Sequence, residues 1–405
     1  MTRSIQGLTV GIVCVLTFGA IVVTARQAPA TGPYKVLQTA KVGGEGGTDY
    51  IFADSVGRRL YITRNTVRAV PATDTKPAVP QIDGRVTIFD LDTLAPVGEI
   101  PGVAGNGAVV CPSTGHGFTS DHPQPAMFDV KTMKLIKNIE VPAPATPDAP
   151  KFSADGIYCD TFNNRVYIGS HPTKTLMVVD AKDGTVLGNI DLGGTPEQTI
   201  GDGKGTIYQV LQERPGGVAV IDAKTMKVTA TYSFGDAETG NGSCNGLALD
   251  AKNGILFAAC AAVGPAPARG TPGQPAPPAP APDPNAKPPQ AFVIMSAKDG
   301  KILARLPLAG SSDGAVFNPQ TMEVFSTQGN GTMTIVKETS PTTFELVQHL
   351  PTMNGARTIA FDSKTGHLFA MSVERGPAPA PPPGGGRGGQ APAIPGSFTI
   401  LVIGK

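Results

Sequence analysis

Polar side chains recur at one position of a repeated phrase, five residues before a turn residue. Carboxylate and amide oxygens are the ligands that Ca²⁺ and Mg²⁺ prefer, and a bound cation can polarise a carbonyl group. These residues are Asp49, Asn106, Asp155, Glu197, Asn245, Asp313 and Arg357. Glu197 fits the spacing if one deletion is allowed, and Asn106 is the neighbour of Gly107, which occupies the aligned position in the second blade. The pattern predicts a small-ligand or cation site where they converge, with Asp49, Asp155, Glu197, Asn245 and Asp313 as the metal ligands. The alternative is a hydrated, anionic opening with Arg357 as its counter-ion.

Two of the five histidines lie close to these polar positions. His122 and His171 begin two adjacent loops that we expect on the same face as the polar residues. One interpretation is a joint role in the site, and the other is that both are solvated loop residues. His116 and His367 fall in turns on the opposite face, and His349 falls on an outer strand.

Signatures of common catalytic sites are missing. The chain has no His-Glu-x-x-His, no Gly-x-Ser-x-Gly, no phosphate-binding loop and no Cys-x-x-Cys-His haem motif. Each of these motifs carries a defined chemistry, and their absence removes the enzyme classes that depend on them.

The elements that must position the polar residues are short strands and turns. An apolar strand, a turn that begins with Asp or Ser, and a second strand recur, and the turn residues Asp129, Asp180 and Asp222 follow one another at spacings of 51 and 42. A four-stranded propeller blade takes about 40 to 50 residues. No helical periodicity is sustained anywhere in the chain. The chain therefore predicts an all-β fold, a seven-bladed β-propeller of four-stranded antiparallel blades formed by residues 31–405.

One outer strand is missing from this count. The chain ends with the third strand of the seventh blade, at 398–403, which leaves that edge unpaired. Residues 34–42 have the pattern of an outer strand and precede the first blade. We predict that they pair with 398–403 and close the ring, because propellers leave only short, protected edges.

Several repeat phrases resemble those of the bacterial YVTN-type (YncE-like) β-propeller repeat family. They are Arg59-Leu-Tyr-Ile62, Val166-Tyr-Ile168 and Val218-Ala-Val-Ile-Asp-Ala223, and the resemblance extends over the whole mature chain. It implies an exported propeller, whereas the family's repeat residues are structural and imply no particular reaction. Some relatives bind nucleic acid through exposed aromatic residues, and this chain, which has no Trp, departs from that feature.

Charge indicates no macromolecular partner. The net charge is +1, and Lys and Arg are spread along the chain without a basic patch. We therefore expect no nucleic-acid partner. An unknown small ligand, or a protein or cell-wall partner, fits better, and we expect a monomer.

The N-terminal segment has the features of an export signal. Arg3 precedes an apolar run over 8–23, and small residues surround Ala25 and Ala30. We predict a signal peptide over 1–30 that is cleaved near Ala25 or Ala30. The alternative is an uncleaved anchor, because the run approaches the roughly 20 residues that span a bilayer. Both alternatives place the folded part outside the cytoplasm, in the periplasm or at the cell surface.

Long insertions fall between the second and third strands of three blades. They cover 64–85, 261–290 and 373–397, which places all of them on one face, and the last two are rich in proline. We expect such tracts to be extended or disordered, and they cannot form a core. They are either a binding fringe or surface insertions that the fold tolerates.

The four cysteines beyond the signal segment are expected in two different states. Cys244 and Cys260 lie symmetrically about the turn at 250–254, so they should face each other and form a disulfide in an oxidising compartment. Cys111 and Cys159 take nearly equivalent positions in adjacent blades, and we expect two separate buried thiols, with a bond between them as the alternative.

These observations favour an exported propeller that acts as a binding or interaction scaffold through its loop-rich face and channel mouth. The alternative is a metal-dependent hydrolase of the lactonase type with an acidic cation site at the mouth. A cofactor-bearing dehydrogenase propeller is a third function, but the chain has too few histidines and no haem motif. No cofactor is established by the sequence, and a divalent cation, Ca²⁺ or Mg²⁺, is the candidate.

Overall fold

Seven four-stranded antiparallel sheets make up the fold. The computed structural model describes residues 31–72, 77–78, 80–144, 146–236, 240–262, 290–377 and 391–405. Its secondary structure within these ranges is β-strand without α-helix. The predicted seven-bladed β-propeller is therefore confirmed.

Each blade runs from an innermost strand at the central channel to an outermost strand at the rim. Blades 1 to 4 contain β2 (Ile51–Asp54), β3 (Arg59–Arg64), β4 (Arg85–Asp90), β5 (Pro96–Pro101); β6 (Ala108–Cys111), β7 (His116–Thr119), β8 (Ala126–Asp129), β9 (Lys134–Asn138); β10 (Ala154–Asp160), β11 (Arg165–Ser170), β12 (Thr175–Asp180), β13 (Val186–Asp191); and β14 (Pro196–Gly201), β15 (Thr206–Leu211), β16 (Gly217–Asp222), β17 (Lys227–Ser233). Blades 5 to 7 contain β18 (Asn241–Asp250), β19 (Ile255–Ala262), β20 (Gln290–Ser296), β21 (Ile302–Pro307); β22 (Ser312–Asn318), β23 (Glu323–Gln328), β24 (Thr332–Ser340), β25 (Thr343–Pro351); and β26 (Ile359–Phe361), β27 (Leu368–Ser372), β28 (Thr399–Gly404) with β1 (Lys35–Lys41).

Acidic side chains at the first turn position set the hairpins. Asp54 Oδ1 accepts hydrogen bonds from the backbone N–H groups of Val56 at 3.1 Å and Gly57 at 2.9 Å. Asp222 Oδ1 does the same for Lys224 at 3.0 Å and Thr225 at 2.7 Å. These local bonds satisfy backbone donors that the ladder leaves free, which fixes the register of the flanking strands.

The N-terminal strand closes the ring as predicted. β1 pairs antiparallel with β28, from Lys35 opposite Gly404 to Lys41 opposite Thr399. The buried Tyr34 donates its hydroxyl proton to Glu323 Oε2 at 2.6 Å. Gln348 accepts a hydrogen bond from the Tyr34 N–H at 3.1 Å and donates one to the Tyr34 carbonyl at 3.0 Å. The strand is thus held by side chains of blade 6 as well as by its own ladder.

The core is divided among the contacts between neighbouring blades. Leu60 and Ile62 of blade 1, for example, pack with Phe369 and Ile400 of blade 7. Complete burial of such a side chain contributes roughly 1.5 to 3 kcal/mol. Because every blade packs on two neighbours, the innermost strands are held firmly around the channel.

Both cysteine pairs form disulfides. The Cys244–Cys260 bond is confirmed, and it joins directly opposed residues of β18 and β19. The expectation of free thiols at Cys111 and Cys159 is wrong, because these residues are bonded to each other. Their equivalent positions lie on innermost strands of adjacent blades, and such strands converge towards the axis, which brings the two Cα atoms to 5.8 Å. Two disulfides are typical of an oxidising environment.

The insertions fall where the repeat predicted them, between β3 and β4, between β19 and β20, and between β27 and β28. The central parts of the proline-rich tracts and the proposed signal segment at 1–30 lie outside the described residues. No helix in the described part of the chain is long and apolar enough to cross a membrane.

Candidate functional site

Polar side chains gather at one end of the central channel, which we call the polar mouth. They come from the starts of the innermost strands and from loops between second and third strands. The innermost strands contribute Asp49, Asn106, Asp155, Glu197, Asn245, Asp313 and Arg357, and the loops contribute His171 and Gln212. Hydrogen bonds and ion pairs join these residues into one network, so the repeat position identified in the sequence does converge.

Breaks in strand register explain how four of these side chains reach the mouth. The pairing of the innermost strand shifts at Asp155, Glu197, Asn245 and Asp313. A β-bulge adds a residue to one strand, bends it locally and redirects a side chain that would otherwise follow the two-residue alternation. The bulges therefore turn these polar groups towards the axis.

Three ligand-type side chains form what we call the acidic pole of the mouth. His171 Nε2 lies 2.6 Å from Asp155 Oδ2 and 3.3 Å from Glu197 Oε1. One ligand atom from each of these residues lies within 4.8 Å of the other two. His171 Nε2 is buried, and its two short carboxylate contacts are ion pairs rather than hydrogen bonds of good geometry. This mutual spacing is one that a single metal ion could bridge.

Further polar groups hold the two carboxylates in place. The Asn106 side chain donates a hydrogen bond to Asp155 Oδ1 at 2.6 Å. The Tyr50 hydroxyl donates to Glu197 Oε2 at 2.9 Å, and the Gln212 amide donates to Glu197 Oε1. Groups that orient ligating carboxylates in this way are the usual second layer of a metal site.

The opposite side of the mouth is organised by Arg357. Its Nε lies 2.6 Å from Asp313 Oδ2, and its terminal nitrogen lies 3.2 Å from Asp49 Oδ1. Asn245 donates to Asp313 Oδ1 at 2.6 Å and accepts from Gln212 at 3.1 Å, which connects this side to the acidic pole. Asp49, Asn245 and Asp313 therefore lie outside the three-residue cluster, although they share the mouth with it.

Burial and mutual charge change the protonation of these groups. The contact with Asp155, followed by that with Glu197, raises the pKa of His171 to about 10. Burial raises the pKa of Glu197 above its ordinary value. At Asp155 burial is the largest single cause, but the contacts with His171 and Asn106 together outweigh it and lower the pKa. Burial also raises the pKa of Asp49 to about 6, against the opposing effect of Arg357.

The innermost strands of neighbouring blades approach closely just below the polar mouth, at a level that we call the constriction. Glycine follows the polar residue in four blades, at Gly107, Gly156, Gly246 and Gly314. A Cβ atom on Gly246 would lie 2.7 Å from the carbonyl carbon of Gly314, so neighbouring inner strands approach too closely for any side chain. In blade 4 the same position is Gln198, whose amide donates to the Ala315 carbonyl of blade 6 at 2.9 Å.

The structure also shows where sequence reasoning was incomplete. His171 belongs to the acidic pole, whereas His122 is exposed, and its Nδ1 lies 3.4 Å from Ser153 Oγ. Tyr50, Gln198 and Gln212 were missed. For Tyr50 and Gln198 a signal existed, because each occupies the place that glycine takes after the polar residue in other blades. For Gln212, in a loop without repeat character, we find no such signal.

The comparisons with known proteins define the fold class. No family model and no curated protein matches the chain. A chain of Kuenenia stuttgartiensis hydrazine synthase is similar over 87% of this chain and 96% of its own, at 15% identity and a TM-score of 0.59. A chain of the mitotic checkpoint complex is similar over 90% and 95%, at 8% identity and a TM-score of 0.60. At these identities the likeness shows the fold alone, and the YVTN-type resemblance stays a prediction.

Proposed function

We propose that this protein is an exported binding propeller whose polar mouth holds a divalent metal ion at Asp155, His171 and Glu197. The observation that carries the proposal is the convergence of their three ligand atoms within 4.8 Å. The buried His171 Nε2 supports it, because this nitrogen has no hydrogen bond of good geometry and a metal would give it a partner. The two disulfides support export, since such bonds persist in oxidising compartments.

The donor set bears on which metal binds. Ca²⁺ and Mg²⁺ prefer all-oxygen sites, and carboxylates alone had suggested them. An imidazole nitrogen with two carboxylates suits borderline ions such as Zn²⁺ and Mn²⁺ better. We therefore propose Zn²⁺ or Mn²⁺. Arg357, half-exposed at the other side of the mouth, is placed to contact an anionic group of a small ligand on the metal.

Calorimetric titration of ZnCl₂ and MnCl₂ into chelator-stripped protein tests the proposal. We expect one equivalent to bind the wild type and at least tenfold weaker binding to His171→Ala and Glu197→Gln. His122→Ala is the matched control, because His122 is an exposed histidine near the mouth that contacts Ser153 instead, and it should bind as the wild type does. Absence of binding to the wild type, or equal binding by all four proteins, would refute the proposed site.

A metal-dependent hydrolase is the second candidate function. The specific observation in its favour is that three protein ligands converge among the residues that the structure describes, which leaves coordination positions for water and substrate, as in catalytic zinc sites. Metal-loaded protein should then hydrolyse lactones or aryl esters, and Glu197→Gln should not. If the protein binds one metal ion but turns over no faster than Glu197→Gln, the result supports the binding function and excludes the hydrolase.

A further inference from the structure

Below the constriction, the channel widens into a cavity of about 480 Å³ that opens on the face of the hairpin turns. Small-molecule pockets usually measure about 300 to 1,000 Å³. Apolar side chains from five blades line it and are half-buried: Phe52, Ile157, Ile200, Val316 and Phe361. The channel therefore has a polar, acidic end and an apolar end, and the constriction lies where the cavity meets the polar mouth.

The charged groups that line this cavity in the described residues are already engaged. Asp54 accepts two backbone hydrogen bonds within its own turn. Asp313 is bound by Arg357 and Asn245 on the side of the polar mouth. At the turn end of the cavity the lining residues Ser55, Val56, Pro112 and Thr161 are uncharged, and Val56 is 78% exposed. No unpaired charged side chain among these residues is available to bind a charged ligand. The cavity therefore favours an uncharged ligand.

Backbone groups supply the polar part of the wall. Every blade ends at the channel with an edge strand, so part of its N–H and C=O groups has no partner strand. The Gln198 side chain shows what chemistry these groups accept. Its Oε1 accepts hydrogen bonds from the N–H groups of Leu247 at 2.9 Å and Ala315 at 3.0 Å, and its Nε2 donates to the Ala315 carbonyl at 2.9 Å. A primary amide thus already bridges the inner strands of three blades at the top of the cavity.

We propose that the apolar end of the channel is a second binding site, for an uncharged and largely apolar molecule that carries an amide. The apolar part packs against the side chains of the innermost strands. The amide pairs with edge-strand backbone as Gln198 does, in the manner of a ligand that extends a sheet edge. The ligand enters from the turn face and does not depend on the metal at the polar mouth.

Two matched probes test this proposal by calorimetry, 1-naphthaleneacetamide and its carboxylate analogue 1-naphthaleneacetate. They have nearly the same size and differ in charge and in the amide group. We expect the amide to bind wild-type protein at least tenfold more tightly than the carboxylate. His171→Ala should retain full amide binding, which separates a failure of this site from a failure of the metal site.

Cavity-filling variants locate the binding. Ile200→Trp and Val316→Trp each place an indole in the cavity and should weaken amide binding at least tenfold. Leu135→Trp, on the outer strand β9 where the side chain is 39% exposed, is the control and should bind normally. Because the chain has no Trp, the emission of each introduced indole also reports whether the variant is folded.

Three results would overturn the proposal: no amide binding by folded wild type, equal binding of both probes, or full binding by both cavity variants. If neither cavity variant folds, amide hydrogen exchange measured on wild-type protein tests the site instead. Added 1-naphthaleneacetamide should then slow exchange at 198–200 and 315–317, and unchanged exchange there would refute the site.

Discussion

Four carboxylates share the polar mouth with one guanidinium and one imidazole, so the position and protonation of each side chain there depend on its neighbours. Asp155 and Glu197 are held by His171, and Asp49 and Asp313 are held by Arg357. The mouth keeps an excess of negative charge, which favours cations. A divalent ion at the acidic pole would relieve the repulsion between two carboxylates that now approach one imidazole nitrogen.

Asp49 gives a pH-dependent prediction at the residue scale. Its pKa in the folded protein is about 6, raised mainly by burial, whereas an unfolded Asp titrates near about 3.9. The folded state therefore binds more protons between these values, and its free energy of unfolding falls as the pH rises from about 4 to about 6. Asp49→Asn should remove this contribution, on the order of 1 to 2 kcal/mol because solvent reaches part of the side chain.

Urea denaturation at pH 4 and pH 7, with a chelator present, measures the effect. The exposed residue Asp148 supplies the control variant Asp148→Asn, which should keep the pH dependence of the wild type. An unchanged difference between the two pH values in Asp49→Asn would contradict the raised pKa.

At the scale of elements, the start of each innermost strand shapes both the polar mouth and the constriction below it. Their bulges direct polar side chains into the mouth, and the glycines that follow let the backbones meet below it. The constriction is thus built from main chain in the blades that carry glycine, and from the Gln198 side chain in blade 4. Its geometry explains why the acidic pole and the apolar cavity are close neighbours on the channel axis.

Gly246→Ala tests the constriction. The added methyl group would lie 2.7 Å from the carbonyl carbon of Gly314 and 2.8 Å from the nitrogen of Ala315. We expect a loss of about 1 to 3 kcal/mol in the free energy of unfolding, as for overpacked cores. The control is Gly47→Ala, where nothing lies within 4 Å of the new atom. Equal stability of both variants, measured by chemical denaturation, would show that the strands can separate at no cost.

The two disulfides should differ in their effect on stability. Cys111–Cys159 spans 48 residues and links two blades, and Cys244–Cys260 spans 16 residues within one blade. Loop-closure entropy predicts losses of roughly 4 and roughly 3 kcal/mol when each pair is replaced by serine. Denaturant midpoints of the two double variants check this order. Quantitative alkylation of Cys111 and Cys159 in non-reduced wild type would contradict the first bond itself.

At the scale of the whole molecule, the ring depends on a strand that comes from the other end of the chain. β1 covers the edge of β28, and Tyr34 is anchored by Glu323 and Gln348 of blade 6. Closure therefore links three distant parts of the sequence. It also places Tyr34, close to the start of the described residues, at the seam between blades 6 and 7.

Deletion of residues 31–43 should expose the edge of β28 and produce an aggregating protein, because unpaired edge strands associate with one another. Sedimentation velocity of freshly purified protein measures this. Tyr34→Phe removes only the hydroxyl that contacts Glu323 and should remain monomeric, with a loss of about 1 to 2 kcal/mol in stability. A truncated protein that is monomeric and as stable as the wild type would disprove the role of β1.

The sequence alone determined the blades, their number and the closing strand, because these follow from repeated local patterns. Turn residues such as Asp54 and Asp222 act through bonds to their own neighbours, and the two-residue alternation of each strand is local as well. The ring of polar positions was predictable for the same reason. Once the turns set the register, residues at one offset must meet at one end of the channel.

Tertiary structure alone decided which of those residues act together. The acidic pole takes Asp155 and Glu197 from two innermost strands and His171 from a loop, and no spacing in the sequence encodes their separation. The Cys111–Cys159 bond likewise depends on how far adjacent blades converge at the axis. Distances between blades result from packing over the whole ring, whereas the repeat reports only what lies within one blade.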